Sequence, residues 1–125
     1  MIETAPSPVA PFSHAAEADG WVFLTGQMPT DPEDSNAPLP DDVEAQTHRV
    51  MKNLELVLKG LGLALENTVS VRIFLIDFKR DYQAMNEIYR CYFPESKLPA
   101  RTCIGVTGLA LNALVEIDLI AKRPL

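Results

Sequence analysis

The residues best suited to chemistry stand together at the start of a strand-like run, Arg101-Thr102-Cys103-Ile104-Gly105-Val106. Because strand side chains alternate, Arg101, Cys103 and Gly105 are predicted to share one face of the strand. A guanidinium at the start of an otherwise apolar strand suits bidentate capture of a carboxylate or a phosphate. A structural ion pair at a strand edge would explain the same arginine, so both interpretations stand.

A second candidate is Glu116, in the last strand-like run of the chain. Val115 and Ile117 flank it, which predicts a partly buried carboxylate with raised proton affinity. An ordinary half-exposed strand carboxylate is the alternative. If the two runs formed a simple hairpin, Arg101 and Glu116 would lie about 16 Å apart, beyond the reach of an arginine. The two groups can therefore share a pocket only if the strands are not hairpin partners or if the pocket forms between chains.

Nucleophilic catalysis by Cys103 is a competing interpretation, and it requires a base near the thiol. The histidines of the chain are His14 and His48, and nothing in the sequence places either beside Cys103. A buried packing thiol is therefore favoured. Together with Cys91, the chain has two cysteines, which predict neither a disulfide framework nor a metal site.

Composition limits the class of protein. The 125 residues fit one domain, and the hydrophobic content of 47% is enough for a sizeable core. A net charge of −6 argues against electrostatic capture of nucleic acid. No run approaches the roughly 18 apolar residues of a membrane span, and the first residues lack the basic start and apolar run of a signal peptide. We therefore expect one domain over residues 1–125 in a reducing, cytoplasmic setting.

The first quarter of the chain predicts strands. A proline-rich leader over residues 1–11 is expected to hold a short edge strand near Ile2–Thr4. Asp19-Gly20 then predicts a hairpin turn. The run Trp21–Leu24 is apolar at every position, which predicts a strand covered on both faces. Gly26 is expected to end that strand.

A long, acidic, proline-rich loop over residues 27–42 follows, and we interpret it as a solvated excursion rather than a pocket rim. After it, apolar residues recur at helical spacing in two segments and form strand-like runs in three. The predicted elements are a helix from Asp41 or Asp42 to about Gly60, a strand over 69–77, a helix from about Arg80 to Phe93, and strands over 101–107 and 114–121.

This order of elements predicts an α+β fold in which two helices pack on one face of a sheet. The strands over 21–24 and 114–121 carry apolar residues on both faces, so the second face of the sheet also needs a cover. Since no further element is left to supply it, we expect self-association.

Five segments, taken in order, resemble the RidA/YjgF family of reactive-intermediate deaminases, also known as the L-PSP endoribonuclease or translation-inhibitor family. They are Ala10-Pro11-Phe12-Ser13, Thr25-Gly26-Gln27-Met28-Pro29, Met85-Asn86-Glu87-Ile88-Tyr89 with Phe93-Pro94, Pro99-Ala100-Arg101-Thr102-Cys103, and Val115-Glu116-Ile117. The resemblance covers essentially the whole chain. It implies a chorismate-mutase-like mixed sheet backed by two helices, with three chains forming a homotrimeric barrel that has pockets between subunits.

The resemblance also implies an activity. Family members hydrolyse enamine or imine intermediates, such as 2-aminoacrylate, to a 2-oxo acid and ammonia, and the deaminase itself needs no cofactor. By motif match, the carboxylate-binding arginine falls on Arg101 and the water-positioning glutamate on Glu116. The other pocket residues that the resemblance implies are Phe12, Thr25, Gly26, Asn86 and Cys103.

Two departures from the family pattern bear on the substrate. Many members have a tyrosine where this chain has Phe12, so this chain lacks a hydroxyl near the substrate. The segment 108–114 also lacks the Pro and Gly that many members have before the Val-Glu-Ile segment. Relatives that act on aminoacrylate isomers or on aminomuconate resemble this Ala-Pro-Phe start. Three alternatives stay open: a deaminase of that related type, a carboxylate-binding or chaperone-like trimer without turnover, and a ribonuclease, against which the acidic charge argues.

Overall fold

The computed structural model describes residues 2–8 and 13–125. Its strands are β1 (Ala15–Ala18), β2 (Trp21–Gln27), β3 (Thr68–Leu75), β4 (Ala100–Gly105) and β5 (Val115–Lys122), and its long helices are α1 (Val43–Gly60) and α2 (Phe78–Tyr89). The strands form one sheet in the order β1-β2-β5-β3-β4, in which only β3 and β4 pair in parallel. Both helices pack on one face of this mixed sheet around a common core, which confirms the predicted α+β architecture.

The first two strands form the predicted hairpin. Asp19 (φ 53°) and Gly20 (φ 81°) both adopt left-handed backbone, the geometry of a type I′ turn. The edge strand predicted near Ile2–Thr4 is wrong, because that stretch folds as a turn. The buried His14 ring holds this leader in place: Nδ1 accepts from the Ile2 amide at 3.0 Å, and Nε2 donates to the Pro6 carbonyl at 2.6 Å.

Gly26 does not end β2 as predicted. The strand continues to Gln27 through a β-bulge, in which Thr25 and Gly26 together lie opposite Asp118 of β5. A bulge adds one unpaired residue and bends the strand locally. It therefore sets the direction of the side chains where β2 passes β5.

Aspartate caps begin both helices. Asp42 accepts a hydrogen bond from the Ala45 amide at 2.8 Å at the start of α1, as predicted. Asp77 accepts from the Arg80 amide at 3.2 Å, so α2 begins at Phe78 and β3 ends at Leu75, earlier than residue 77. The helix predicted to run to Phe93 ends as α2 at Tyr89 and continues as a short 3-10 turn.

The loop after β2 contains turns and one isolated bridge, between Asp31 and Asp34. Most of it is exposed or half-exposed, as predicted for a solvated excursion. Its first residues are the exception, because the Asn53 amide donates to the carbonyls of Met28 (3.0 Å) and Thr30 (2.8 Å) and buries them against α1.

The face of the sheet opposite the helices, here called the open face, carries uncovered apolar side chains. Trp21 and Phe23 of β2 are 40% and 48% exposed, and Ile104 of β4 is 47% exposed. The cover predicted for both faces of β2 is thus not supplied by the described part of this chain. Within residues 2–8 and 13–125, neither helix is long and apolar enough to cross a bilayer.

Candidate functional site

Arg101 lies on the edge strand β4, on the face that meets the helices. Its register partner on β3 is the core residue Val71. The guanidinium donates from Nη1 to Asn86 Oδ1 at 2.8 Å and from Nη2 to the Tyr82 hydroxyl at 3.1 Å. It also lies 5.1 Å from the centre of the Tyr89 ring. Helix α2 therefore fixes this guanidinium through neutral groups.

No carboxylate pairs with Arg101 among the described residues. The structural ion pair of Arg101 that the sequence left as an alternative is thus absent from the described residues. An arginine has five N–H donors in a planar fork, and the bonds to Asn86 and Tyr82 account for two of them. The remaining donors are available to an anion.

Arg101 borders a cleft of about 500 Å³ between the end of α2 and the start of β4. That volume falls within the range of small-molecule sites, about 300–1,000 Å³. The cleft combines charged groups with apolar and aromatic walls. Its lining residues are Asn86, Tyr89, Arg90, Phe93, Glu95, Leu98, Pro99 and Arg101.

The sequence missed the roles of Tyr82 and Tyr89, which it placed only in the apolar stripe of α2. Tyr89 is 6% exposed, and burial raises its pKa to about 12. Its ring therefore remains a neutral wall beneath Arg101. The spacing of Tyr82 and Asn86, four residues apart on one helix face, was the available signal that both side chains meet the same group.

Cys103 shares the helix-facing side of β4 with Arg101, as predicted. Burial raises the pKa of its thiol, and the nearby Arg101 only partly opposes that effect. A raised pKa disfavours the reactive thiolate. Both histidines have other partners, since His14 binds the leader and His48 Nδ1 lies 2.8 Å from the Tyr92 hydroxyl. The structure thus gives no support to a Cys103 nucleophile.

Glu116 lies on the open face of β5, where its carboxylate packs against the bare backbone of Gly26. Burial raises the pKa of Glu116, the negative charge of Asp118 raises it further, and Arg72 lowers it. Arg72 and Asp118 form a bidentate pair beside it, with N–O distances of 3.0 and 2.6 Å. The sequence-based expectation of a perturbed acid therefore agrees with the direction of the pKa shift.

The structure brings the candidate residues together in two separate groups. Arg101, Asn86 and Cys103 form one group at the helix side of β4. Glu116 and Gly26 form the other on the open face, next to Thr25, whose hydroxyl donates to the Ser13 carbonyl. The remaining candidate, Phe12, lies outside the described residues.

Register shows that one chain cannot join the two groups. Arg101 pairs with Val71, whereas Glu116 pairs with Phe74, three positions along β3 and on the opposite face of the sheet. Strands β4 and β5 lie on either side of β3, so they are not hairpin partners. The α-carbons of Arg101 and Glu116 are about 14 Å apart from strand geometry, and the sheet itself separates the side chains.

We predict that Gly26→Ala displaces the Glu116 carboxylate. A Cβ at this position would overlap Oε2 of Glu116 and lie 3.0 Å from its Cδ. Because the obstructing atoms belong to a flexible side chain, Glu116 should rotate away at little cost in stability. The expected result is an unchanged melting temperature with a moved Glu116 side chain in a crystal structure of the variant.

Gly108→Ala is the matched control for that substitution. A Cβ at Gly108 meets no atom within 4 Å, so the same added methyl should change neither stability nor the position of Glu116. A Glu116 side chain that stays in place in Gly26→Ala would contradict the prediction.

Within the described residues, no group of three or more His, Cys, Asp or Glu side chains is arranged to hold a metal ion. The groups that the geometry offers for chemistry are charged. The Arg101 guanidinium, which can bind an anion, lies on the helix-facing side of the sheet. The Glu116 carboxylate, whose pKa is raised, lies on the open face.

Comparison with known proteins identifies the family. The profile of Endoribonuclease L-PSP matches residues 2–123. A RutC family protein of Synechocystis sp. is 41% identical over 126 residues, covering 99% of this chain and 96% of that protein. Reactive Intermediate Deaminase A, chloroplastic, of Arabidopsis thaliana is 40% identical over 119 residues, covering 95% of this chain and 62% of that protein.

Comparison with solved structures agrees with the family match. The crystal structure of E. coli TdcF with bound serine superposes with a TM-score of 0.88 at 26% identity, covering 98% of this chain and 95% of that one. The five segments singled out in the sequence, the mixed sheet with its two helices, and these matches agree. The chain belongs to the endoribonuclease L-PSP family, the family of the RutC and Rid proteins.

Proposed function

We propose that the protein hydrolyses carboxylate-bearing enamines and imines, of which 2-aminoacrylate is the simplest, to a 2-oxo acid and ammonia. The observation that carries the proposal is the state of Arg101: its guanidinium is fixed by Asn86 and Tyr82, borders a cleft, and has no carboxylate partner among the described residues. Two relatives support it, one named as a reactive intermediate deaminase and one crystallised with serine, an amino acid with a carboxylate.

The proposed active site forms between copies of the chain. Arg101 and Glu116 lie on opposite faces of one sheet, so a pocket that contains both must take each from a different copy. The uncovered apolar open face supplies a reason for the copies to associate. Three copies is the number that the family resemblance implies, and we propose a homotrimer.

The reaction follows from the two groups. Arg101 binds the substrate carboxylate through charge-assisted hydrogen bonds and so orients the imine carbon. Glu116 of the neighbouring copy accepts a proton from water while the oxygen attacks that carbon. Glu116 returns this proton to the nitrogen, which completes the carbinolamine. The carbinolamine hydroxyl then gives up its own proton, which also reaches the nitrogen, so the C=O bond forms as the C–N bond breaks and ammonia leaves the 2-oxo acid. An enamine substrate must first gain a proton on its β-carbon to become the imine.

The direct test is release of ammonia and pyruvate from 2-aminoacrylate generated in the assay. We expect the protein to accelerate this release above the buffer reaction. An intact assembly that gives no acceleration would refute the proposal. Binding of pyruvate that depends on Arg101, without any turnover, would favour the alternative of a carboxylate-binding trimer.

We predict that Phe23→Glu separates the copies. Phe23 is 48% exposed at the open face and pairs with Ile120 of β5, so a carboxylate there would be buried on association without a partner. The expected result is a smaller mass by light scattering and loss of the deaminase activity. Ala45→Glu, on an exposed position of α1, is the control and should keep the native mass. A native mass for Phe23→Glu would contradict association through this face.

A further inference from the structure

Arg90 is a second cation in the cleft that contains Arg101. It follows α2 directly and keeps helical backbone, with φ −62° and ψ −20°. Tyr82, Asn86 and Arg90 therefore recur every four residues along one side of the helix. Arg101 is bonded to the first two of these, and the β-carbon of Arg90 lies one helical turn, about 6 Å, from that of Asn86.

Ion pairing differs among the arginines of the described chain. The protein has 17 acidic residues and a net charge of −6, so carboxylates are plentiful. Arg72, Arg80 and Arg123 each form an ion pair with one of them. Within residues 2–8 and 13–125, Arg49, Arg90 and Arg101 form none, and of these three only Arg90 and Arg101 line the cleft. The cleft thus brings together two cations that lack carboxylate partners in the described chain, and Glu95 is the acidic residue of its lining.

The surface shared by these two cations is apolar. Tyr89, Phe93, Leu98 and Pro99 complete the lining, and the buried Tyr89 ring lies beneath Arg101. A ligand that matches this pattern has an anionic group at each end and a short hydrocarbon chain between them.

We propose that the cleft selects imino acids that carry a second carboxylate, with Arg101 binding the carboxylate next to the imine and Arg90 binding the distal one. This inference rests on the proposed deaminase function and names its substrate class. The carboxylate carbons of an extended five-carbon diacid are about 5 Å apart, close to the separation of the two positions along α2. Arg90 is exposed, so its contribution is expected to be modest and sensitive to salt.

The test uses two 2-oxo acids of equal length, which resemble the reaction products. Calorimetry at low salt compares 2-oxoglutarate, with two carboxylates, to 2-oxopentanoate, with one. We expect the native protein to bind 2-oxoglutarate about threefold to tenfold more tightly. Arg90→Gln should remove that preference and leave 2-oxopentanoate binding unchanged. Glu95→Gln should increase the preference, because it removes the negative charge of the lining.

The outcomes separate this inference from the function on which it rests. Equal binding of the two acids by the native protein, or a preference that persists in Arg90→Gln, would overturn the assignment of Arg90. Binding of 2-oxopentanoate in those experiments would still support a carboxylate site at Arg101. Failure of both acids to bind, together with no deaminase activity, would instead count against the proposed function itself.

Discussion

Replacing Arg101 by alanine is expected to abolish most of the deaminase activity. In the proposed reaction, the variant would lose two charge-assisted hydrogen bonds to the substrate carboxylate. These bonds are worth together about 3–6 kcal/mol, or a factor of about 10²–10⁴ in kcat/KM. Arg101→Lys keeps the charge but loses the planar fork, so it should fall between the native protein and the alanine variant. The measurement is pyruvate formation from 2-aminoacrylate after subtraction of the buffer reaction.

Lys59→Gln controls for the loss of positive charge, because it removes one charge from an exposed position in the last turn of α1. It should leave kcat/KM unchanged. The melting temperature of Arg101→Ala should also be followed, because the half-buried Asn86 loses its hydrogen bond to the guanidinium. A folded Arg101→Ala protein with native kcat/KM would exclude Arg101 as the carboxylate-binding group.

Mixed assemblies test whether the pocket is shared between copies. If Arg101 and Glu116 of one pocket come from different chains, mixing Arg101→Ala with Glu116→Gln protomers restores pockets in which both residues are native. Random mixing in equal amounts should recover about a quarter of the native activity. If both residues came from the same chain, the mixture would be as inactive as its components.

The parts of the fold that the sequence predicted are those that depend on local interactions. Asp19-Gly20 supplies both left-handed residues of the hairpin turn, and Asp42 caps α1 through an amide three residues away. The alternation that grouped Arg101 with Cys103 is likewise local and is confirmed. Such features need only neighbours along the chain, so one sequence is enough to identify them.

The errors and omissions depend on neighbours that are remote in sequence. The sequence predicts that Gly26 ends a strand, yet Gly26 lies in a bulge of β2 opposite β5, with the Glu116 side chain against its backbone. The side of β4 that carries Arg101 faces the helices because β4 pairs with β3 in a register that places Arg101 beside the core residue Val71. There the guanidinium meets Asn86, Tyr82 and Tyr89 of α2. The order β2-β5-β3 separates Arg101 from Glu116 within one chain, and no local pattern encodes that order.

Replacing Glu116 by glutamine is expected to reduce activity while stabilising the fold. Glutamine keeps the shape of the side chain but accepts no proton from water, so kcat/KM should fall by about 10²–10⁴. In the native protein, Glu116 must be ionised to act as the base. Because burial and Asp118 raise its pKa, the acid limb of kcat/KM should lie above the ordinary glutamate value of about 4.3. That limb should be absent in the variant.

The same pKa shift fixes the sign of the stability change. A carboxyl whose pKa is higher in the folded than in the unfolded state binds protons preferentially when folded, so ionising it at neutral pH lowers the free energy of unfolding. Glu116→Gln removes that cost and should raise the melting temperature at pH 7. The gain should disappear at a pH below the unfolded-state pKa, where the native carboxyl is protonated in both states.

Calorimetry of the native protein and the Glu116→Gln variant from pH 3.5 to 7.5 measures this difference in melting temperature. Both proteins are studied at the same protomer concentration, because association also changes the melting temperature. Asp118→Asn is an informative comparison, since Asp118 forms the bidentate pair with Arg72 and its loss should destabilise the fold. A Glu116→Gln protein that is both less stable at pH 7 and fully active would show that Glu116 serves the structure rather than the reaction. Loss of activity with a gain in stability is expected if the ionised Glu116 carboxylate serves the reaction at a position where its charge destabilises the fold.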